Sequence, residues 1–279
     1  MQLQGELRVS EMCALTRLNR ANYYRWLKRT APGDNAMELR AELQRICLGH
    51  RRYGYRRVTA VLRYAGFAAN HKRVLRLMKQ DNLLALRKRR FVLTTESGHA
   101  LPVYSNYAAH LQIQGPDELW VADITYIRLR REFVYLAVVL DAWSRMVVGW
   151  SLARHMQASL CKAALERALE ARHPAPGLVH HSDRGVQYAS AEYIGVLERH
   201  RIQGSMSRPG NPWDNARCES FMKTLKQEEI YCGEYADLED LEAHLANFID
   251  GYYNVKRLHS SLGYRSPDAF EQQRATPAA

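Results

Sequence analysis

Three carboxylates in this 279-residue chain have the types and spacing to do chemistry together. Asp123 lies in Leu119-Trp120-Val121-Ala122-Asp123-Ile124-Thr125-Tyr126, and Asp183 in His180-His181-Ser182-Asp183-Arg184-Gly185-Val186-Gln187-Tyr188. Glu219 lies in Asn215-Ala216-Arg217-Cys218-Glu219-Ser220-Phe221. Carboxylates are the hard oxygen donors that magnesium prefers, and it usually takes one or two of them beside water and substrate phosphate. Three converging acids repel one another and stay partly protonated unless a cation neutralises them. Two ions held ~4 Å apart can activate a water or sugar hydroxyl on one side and stabilise the leaving oxygen on the other. A lone aspartate in a strand is more often a turn or ion-pair residue, so this chemistry depends on elements that bring all three together.

Those elements are legible. Leu119 to Arg130 alternates towards a strand, Arg131-Glu132 is a tight turn, Phe133 to Asp141 is a more buried strand, and Met146 to Leu152 is a third. Their close spacing predicts an antiparallel meander. Leu160 to Glu170 is a helix ended by His173-Pro174, Leu178 to Ser182 a strand, Ala191 to His200 a helix, and Ile202 to Met206 a strand. Asn211-Pro212 then starts a long helix, with asparagine as cap and Asp214 near its positive end, running to about Glu229. The fold class is α/β: a mixed five-stranded sheet flanked by helices, in the order of a ribonuclease H-like domain, preceded by an all-α region. Asp123 then falls within the first strand, Asp183 closes the fourth and Glu219 sits in the long helix. Asp141 is a decoy at a strand end, expected to cap the turn at Trp143-Ser144. Trp120, Trp143 and Trp150 read as core. His180 and His181 read as strand-end or DNA-facing residues rather than metal ligands.

The charge is lopsided. Lys and Arg number 40 against 29 Asp and Glu, a net of +11, yet residues 1–100 carry +14 and the remainder −3. A basic first third suggests contact with a polyanion, and nucleic acid is the commonest one. Ser10 to Arg29 reads as two short helices, with Ser10 capping the first and a new start after Asn19; Ala31 to Asn35 is a linker. A further helix covers Ala36 to Cys47. Val58 to Tyr64, the turn Ala65-Gly66-Phe67 and a helix from Asn70 through Lys79 form a helix-turn-helix pattern. The DNA-contact candidates here are Arg56, Arg57, Lys72, Arg73 and Arg76, with the tetrabasic run Arg87, Lys88, Arg89 and Arg90 entering a linker. The expected domains are therefore residues 1–33, 34–92, a linker over 93–113, and a core over 114–275.

Other classes recede. At 47% hydrophobic and 25% charged, the chain has the composition of an ordinary globular protein. No run of 18 apolar residues exists, and the first thirty residues lack the apolar core of a secretory signal, so a cytoplasmic location with no membrane partner is expected. Five scattered cysteines without a Cys-x-x-Cys fit reduced thiols and no zinc finger. No Gly-x-x-x-x-Gly-Lys loop is present, so no ATP is implied.

The strings around the three acids resemble the catalytic subunit of bacterial insertion-sequence transposases of the OrfB type, which are related to retroviral integrases. The spacing resembles that family's Asp-Asp-Glu signature, with 59 residues between Asp123 and Asp183 and 35 between Asp183 and Glu219. The family's lysine seven residues after the glutamate is matched by Lys226, and one helix face would carry Asn215, Glu219, Lys223 and Lys226. The stretch Tyr252-Tyr253-Asn254-x-x-Arg257-x-His259-Ser260-Ser261-Leu262-Gly263-Tyr264-x-Ser266-Pro267 resembles the family's ending. The zinc site of the retroviral relatives has no counterpart in the cysteines and histidines here.

The resemblance implies a DNA transposase that nicks a phosphodiester at the element's end and then joins the freed 3′-hydroxyl to another. Asp123 and Asp183 would share magnesium ions, with manganese able to substitute, and Glu219 would hold the second. Lys226 would neutralise a phosphate and Asn215 would orient DNA, with Lys223 beside them. The implied partners are the terminal inverted repeats and target DNA, further copies of the chain on paired ends, and an upstream-frame (OrfA) product joined by fusion. Two alternatives stand beside this reading: a DNA-binding regulator that uses only residues 1–100, and a nuclease of the same fold that cuts without joining.

Overall fold

A computed structural model of the chain describes residues 8–17, 19–27, 34–85, 104–130, 132–208 and 215–275. It divides into two compact units, within Met1–Ala85 and Leu86–Ala279.

The first unit is helical. Helices α1 (Val9–Thr16) and α2 (Arg20–Leu27) pack as a short pair, followed by α3 (Asp34–Gly49), α4 (Tyr55–Tyr64) and α5 (His71–Gln80). Ser10 does not cap α1. Arg8 occupies that position, and its amide donates to Glu11, whose carboxylate sits one turn on and satisfies the orphan donor from the helix side. Leu39, Leu43, Ile46, Val58, Leu62, Val74, Leu77 and Met78 form a shared core between α3, α4 and α5. Gly66, at φ 85°, permits the reversal after α4, and Phe67 donates back to the Leu62 carbonyl. Asn70 caps α5, accepting from the Lys72 amide. The hairpin of α4 and α5 is thus fixed by one core, one glycine and one cap.

The second unit holds a five-stranded sheet of β1 (Leu119–Arg128), β2 (Phe133–Asp141), β3 (Val147–Ala153), β4 (Val179–Ser182) and β5 (Gln203–Met206), in the order β3-β2-β1-β4-β5. The first three form the antiparallel meander, and β4 and β5 run parallel to β1. On one face α6 (Ala158–Arg172) and α7 (Ala191–Arg199) cover Trp120, Ala122, Ala137 and Val139. On the other, α8 (Ala216–Leu225) and α9 (Leu238–Ala246) cover Leu119, Val121, Leu136 and Val138. Helix α10 (Pro267–Ala275) follows. Two-sided coverage explains why β2 reads as one apolar run rather than an alternation. Asp141 caps as expected: Oδ1 accepts from the amides of Trp143 and Ser144 and from the Ser144 hydroxyl, and Oδ2 accepts from the Asp117 amide.

Two expectations change. Trp120 is core and half-buried Trp150 packs against the core, but half-buried Trp143 lies against α10, 4.6 Å from the Phe270 ring. The long helix expected from Asn211 does not continue regularly to Glu229: α8 gives way at Lys226 to a π-helical turn, Lys226–Ile230. Its start at Asn211 to Asp214 lies outside the described residues, and Asn215 holds the N-cap position. All five cysteines are free.

Candidate active site

Strand β4 is four residues long, and pairing with β1 runs only from Leu119 to Val121. Beyond Val121, β1 continues with β2 on one side and no β4 partner on the other. Asp123 lies on this overhang, and Asp183 follows directly after β4. A side chain at each of those two positions therefore faces the same notch in the sheet.

Helix α8 brings the third acid. Asn215 Nδ2 donates to the Ala122 carbonyl at 2.9 Å, and Cys218 Sγ to the Val121 carbonyl at 3.3 Å. These bonds hold the first turn of α8 against β1 one and two residues before Asp123, with Phe221, Met222 and Leu225 buried beneath it. Glu219 rides on the exposed side of that turn.

The electrostatics agree with a gathering of acids. Asp123 is half-buried and its pKa is pushed up to about 7, by burial first, then by Asp183 and, less, Glu219. The Ile124 amide, which donates to its Oδ1 at 2.8 Å, and Lys226 oppose the rise. Asp183 Oδ1 accepts from the Gly185 amide at 2.9 Å, which sets its rotamer. Burial lowers the pKa of Lys226, against the pull of Asp123. Its ammonium lies 4.8 Å from the centre of the Tyr126 ring. Among the described residues, no three His, Cys, Asp or Glu side chains are closed around one point. The donor set nevertheless suits a hard divalent cation: oxygen donors only, with surplus negative charge expressed in the raised pKa of Asp123.

Several predicted residues sit elsewhere than expected. Asn215 is buried and turned inward, so it fastens α8 rather than facing DNA. His180 and His181 do not face DNA either. His180 is fully buried with Tyr193 Oη 3.0 Å from its Nε2, and burial, then His181, hold its pKa down at about 3. His181 lies between Ser205 Oγ and Ser207 Oγ at 2.9 and 3.0 Å. A central strand covered on both faces absorbs polar letters into hydrogen-bonded pairs, which the sequence pattern cannot show. Lys223 is exposed on α8. In the first unit, Arg56, Lys72, Arg73 and Arg76 are exposed, and Arg57 is half-buried with its guanidinium 5.5 Å from the Tyr53 ring centre. None of Lys72, Arg73 and Arg76 makes an ion pair among the described residues. Arg87, Lys88, Arg89 and Arg90 lie outside the described residues.

The structure adds positioning residues that the sequence reading did not separate out. Asn254 both donates to and accepts from the backbone of Val147, each at 3.0 Å, tying the segment after α9 to the start of β3. Arg257 makes a bidentate pair with Glu228 at 2.8 and 2.9 Å, with both side chains almost fully buried. Glu228 lies in the π-turn that begins with Lys226, so this pair anchors the turn beside Asp123.

A sheet of this order, preceded in the chain by a helical unit, has the architecture of an integrase core. Residues 114–212 and 200–267 match two integrase core domain families, and residues 34–91 match an HTH-like domain. The chain is 37% identical over 276 residues to the transposase InsF for insertion sequence IS3A of Escherichia coli K12, covering 97% of this chain and 96% of that protein. It is 39% identical over 222 residues to the transposase for insertion sequence element IS904 of Lactococcus lactis, covering 79% of this chain and 88% of that protein. The chain belongs to this family of insertion-sequence transposases with an integrase core. Among solved structures it is similar to a chain of the simian T-cell lymphotropic virus intasome, at 17% identity and TM-score 0.49, covering 85% of this chain and 77% of that one. The family assignment rests on the curated relatives.

Proposed function

We propose that the protein cuts DNA at the ends of its insertion sequence and joins the freed ends to new DNA, with Asp123, Asp183 and Glu219 as the reacting constellation. The observation that carries this reading is the notch where β1 outruns β4, in which burial first, then the charges of Asp183 and Glu219, raise the pKa of Asp123 to about 7. Asp123 and Asp183 would hold one divalent cation and Glu219 a second. Magnesium there, or manganese in its place, makes an attacking hydroxyl more nucleophilic and stabilises the leaving oxygen.

The chain's own residues set the geometry. The Ile124 and Gly185 amides fix the two aspartates, and Asn215 and Cys218 hold the first turn of α8, which carries Glu219, against β1. Lys226, poised beside Asp123, offers its ammonium to a DNA phosphate. In the first step a water oxygen attacks phosphorus and the 3′-oxygen leaves with a proton as a hydroxyl. In the second, that 3′-hydroxyl attacks a target phosphodiester and displaces another 3′-oxygen. The exposed cations Arg56, Lys72, Arg73 and Arg76 support DNA binding by the first unit, in the cytoplasm where the chromosome lies.

The test is a duplex carrying the element's own end, incubated with the full chain and magnesium and scored for nicked and joined products. Both products are expected with magnesium or manganese, with neither in EDTA nor from Asp123→Asn. Calcium should support binding without cleavage. Undiminished cutting in excess EDTA would refute the metal-assisted reading, and nicking without joining would favour a nuclease.

A further inference from the structure

Two large aromatic side chains stand exposed close to the acids. Arg128 of β1 pairs directly with Phe133 of β2, and Tyr126 pairs with Tyr135. The period of two places Tyr126, Arg128 and Phe133 on one face of the sheet. Tyr126 is 39% exposed and Phe133 50%. Their ring centres are 5.8 Å apart at 74°, an edge-to-face pair. A cation flanks each: Lys226 Nζ lies 4.8 Å from the Tyr126 centre, and the Arg128 guanidinium 5.9 Å from the Phe133 centre. Neither cation makes an ion pair among the described residues.

Single exposed apolar residues are ordinary on protein surfaces. A contacting aromatic pair bracketed by two cations, neither of them held in an ion pair among the described residues, is not. It suits a ligand that carries a flat π-face and negative charge in one piece, and a nucleotide carries both. We propose that Tyr126 and Phe133 form a stacking platform for an unpaired base of the DNA strand held at the acids, with Lys226 and Arg128 taking the phosphates on either side. The proposal rests on the reading of Asp123 as a DNA-cutting residue. Tyr126 stands three residues along β1 from Asp123, ~10 Å at the rise of a strand, with its side chain on the opposite face of the part of β1 that has no β4 partner. Lys226 connects the two, because it interacts with the charge of Asp123 and covers the Tyr126 ring. In a duplex both faces of an internal base are covered by its neighbours, so a base inside the end lies against these rings only once it is released from its pair. The platform therefore selects ends that have opened.

The test measures binding by the full chain in EDTA, where nothing is cut. The probes are a blunt duplex of the element's own end, and the same duplex with the last three nucleotides unpaired and 2-aminopurine among them. Wild type should prefer the opened end about tenfold, within the range of base-aromatic stacking, and should quench the 2-aminopurine. The double variant Tyr126→Leu with Phe133→Leu keeps apolar bulk but removes both π-faces. It should bring the preference to near unity and abolish quenching, while blunt-duplex affinity changes less than twofold and circular dichroism matches wild type. The single variant Phe133→Tyr, which keeps a ring, should retain the preference. A preference or quenching that survives in the double variant, or an equal loss for both probes, would overturn the platform. The cleavage reading is judged separately by adding magnesium to wild type: a protein that holds the opened end and never cuts refutes that reading and not the platform.

Discussion

Replacing the central acid should make the metal-free protein more stable, by an amount that grows with pH. In the folded chain Asp123 has its pKa raised from 3.8 to about 7, with burial as the largest cause and Asp183 next. The folded state therefore binds this proton more tightly than the unfolded state. Its contribution is fully present below pH 3.8, is lost as pH rises towards 7, and stays lost above. At 1.36 kcal/mol per pKa unit, the stability lost relative to low pH through this shift is about 4 kcal/mol at pH 8 and about 2 kcal/mol at pH 5, where only the unfolded chain ionises. Asparagine keeps the oxygen that accepts from the Ile124 amide and carries no charge. Asp123→Asn should recover most of that difference. The assay is urea unfolding in EDTA at pH 5 and pH 8, followed by tryptophan fluorescence and compared with wild type at each pH. The gain should be about 2 kcal/mol larger at pH 8 than at pH 5, and magnesium should narrow it by stabilising wild type alone. A variant no more stable than wild type at pH 8, or one equally stabilised at both pH values, would refute the crowding of charge at the notch.

Two further substitutions probe the scaffold. Arg257→Met strands the buried Glu228 carboxylate and should cost about 3–5 kcal/mol, whereas the double variant with Glu228→Leu should recover most of the loss; equal urea midpoints for the single variant and wild type would show that the pair is not desolvated. Gly149→Ala should lower thermal stability by about 1–3 kcal/mol or more, because the new Cβ would meet the Ala164 carbonyl oxygen at 2.2 Å and Ala168 at 2.8 Å, backbone that cannot move without shifting α6; an unchanged melting temperature would count against that packing.

Much of the fold could be read from the chain because it is written locally. The alternation and turns of residues 119–153 specify a meander, and the Asp141 cap follows from an acid placed just before a Trp-Ser turn. Asn70 and Gly66 likewise mark their hairpin within a few residues. What was not legible depends on distant partners. His180 and His181 look like surface polar residues until Tyr193, Ser205 and Ser207 arrive to pair with them. Asn215 lies close enough to Glu219 to suggest a DNA-facing surface, but its bond, like that of Cys218, goes to a backbone carbonyl almost a hundred residues earlier. The change to a π-turn at Lys226 leaves no mark in apolar periodicity, since a register shift of one residue is smaller than the width of a helical face.

The buried pair of Arg257 and Glu228, with the Asn254 clamp on Val147, has a consequence for the order in which this protein comes into being. All three acids have left the ribosome before either clamp has been made. Until Asn254 and Arg257 follow, the start of β3 lacks its partner and the turn carrying Lys226 lacks its anchor. A product cut short between Glu219 and Asn254 keeps the basic first unit and every acid, yet has no fixed lysine at the notch. The scaffold of the notch is therefore complete only once the chain has been made past Arg257.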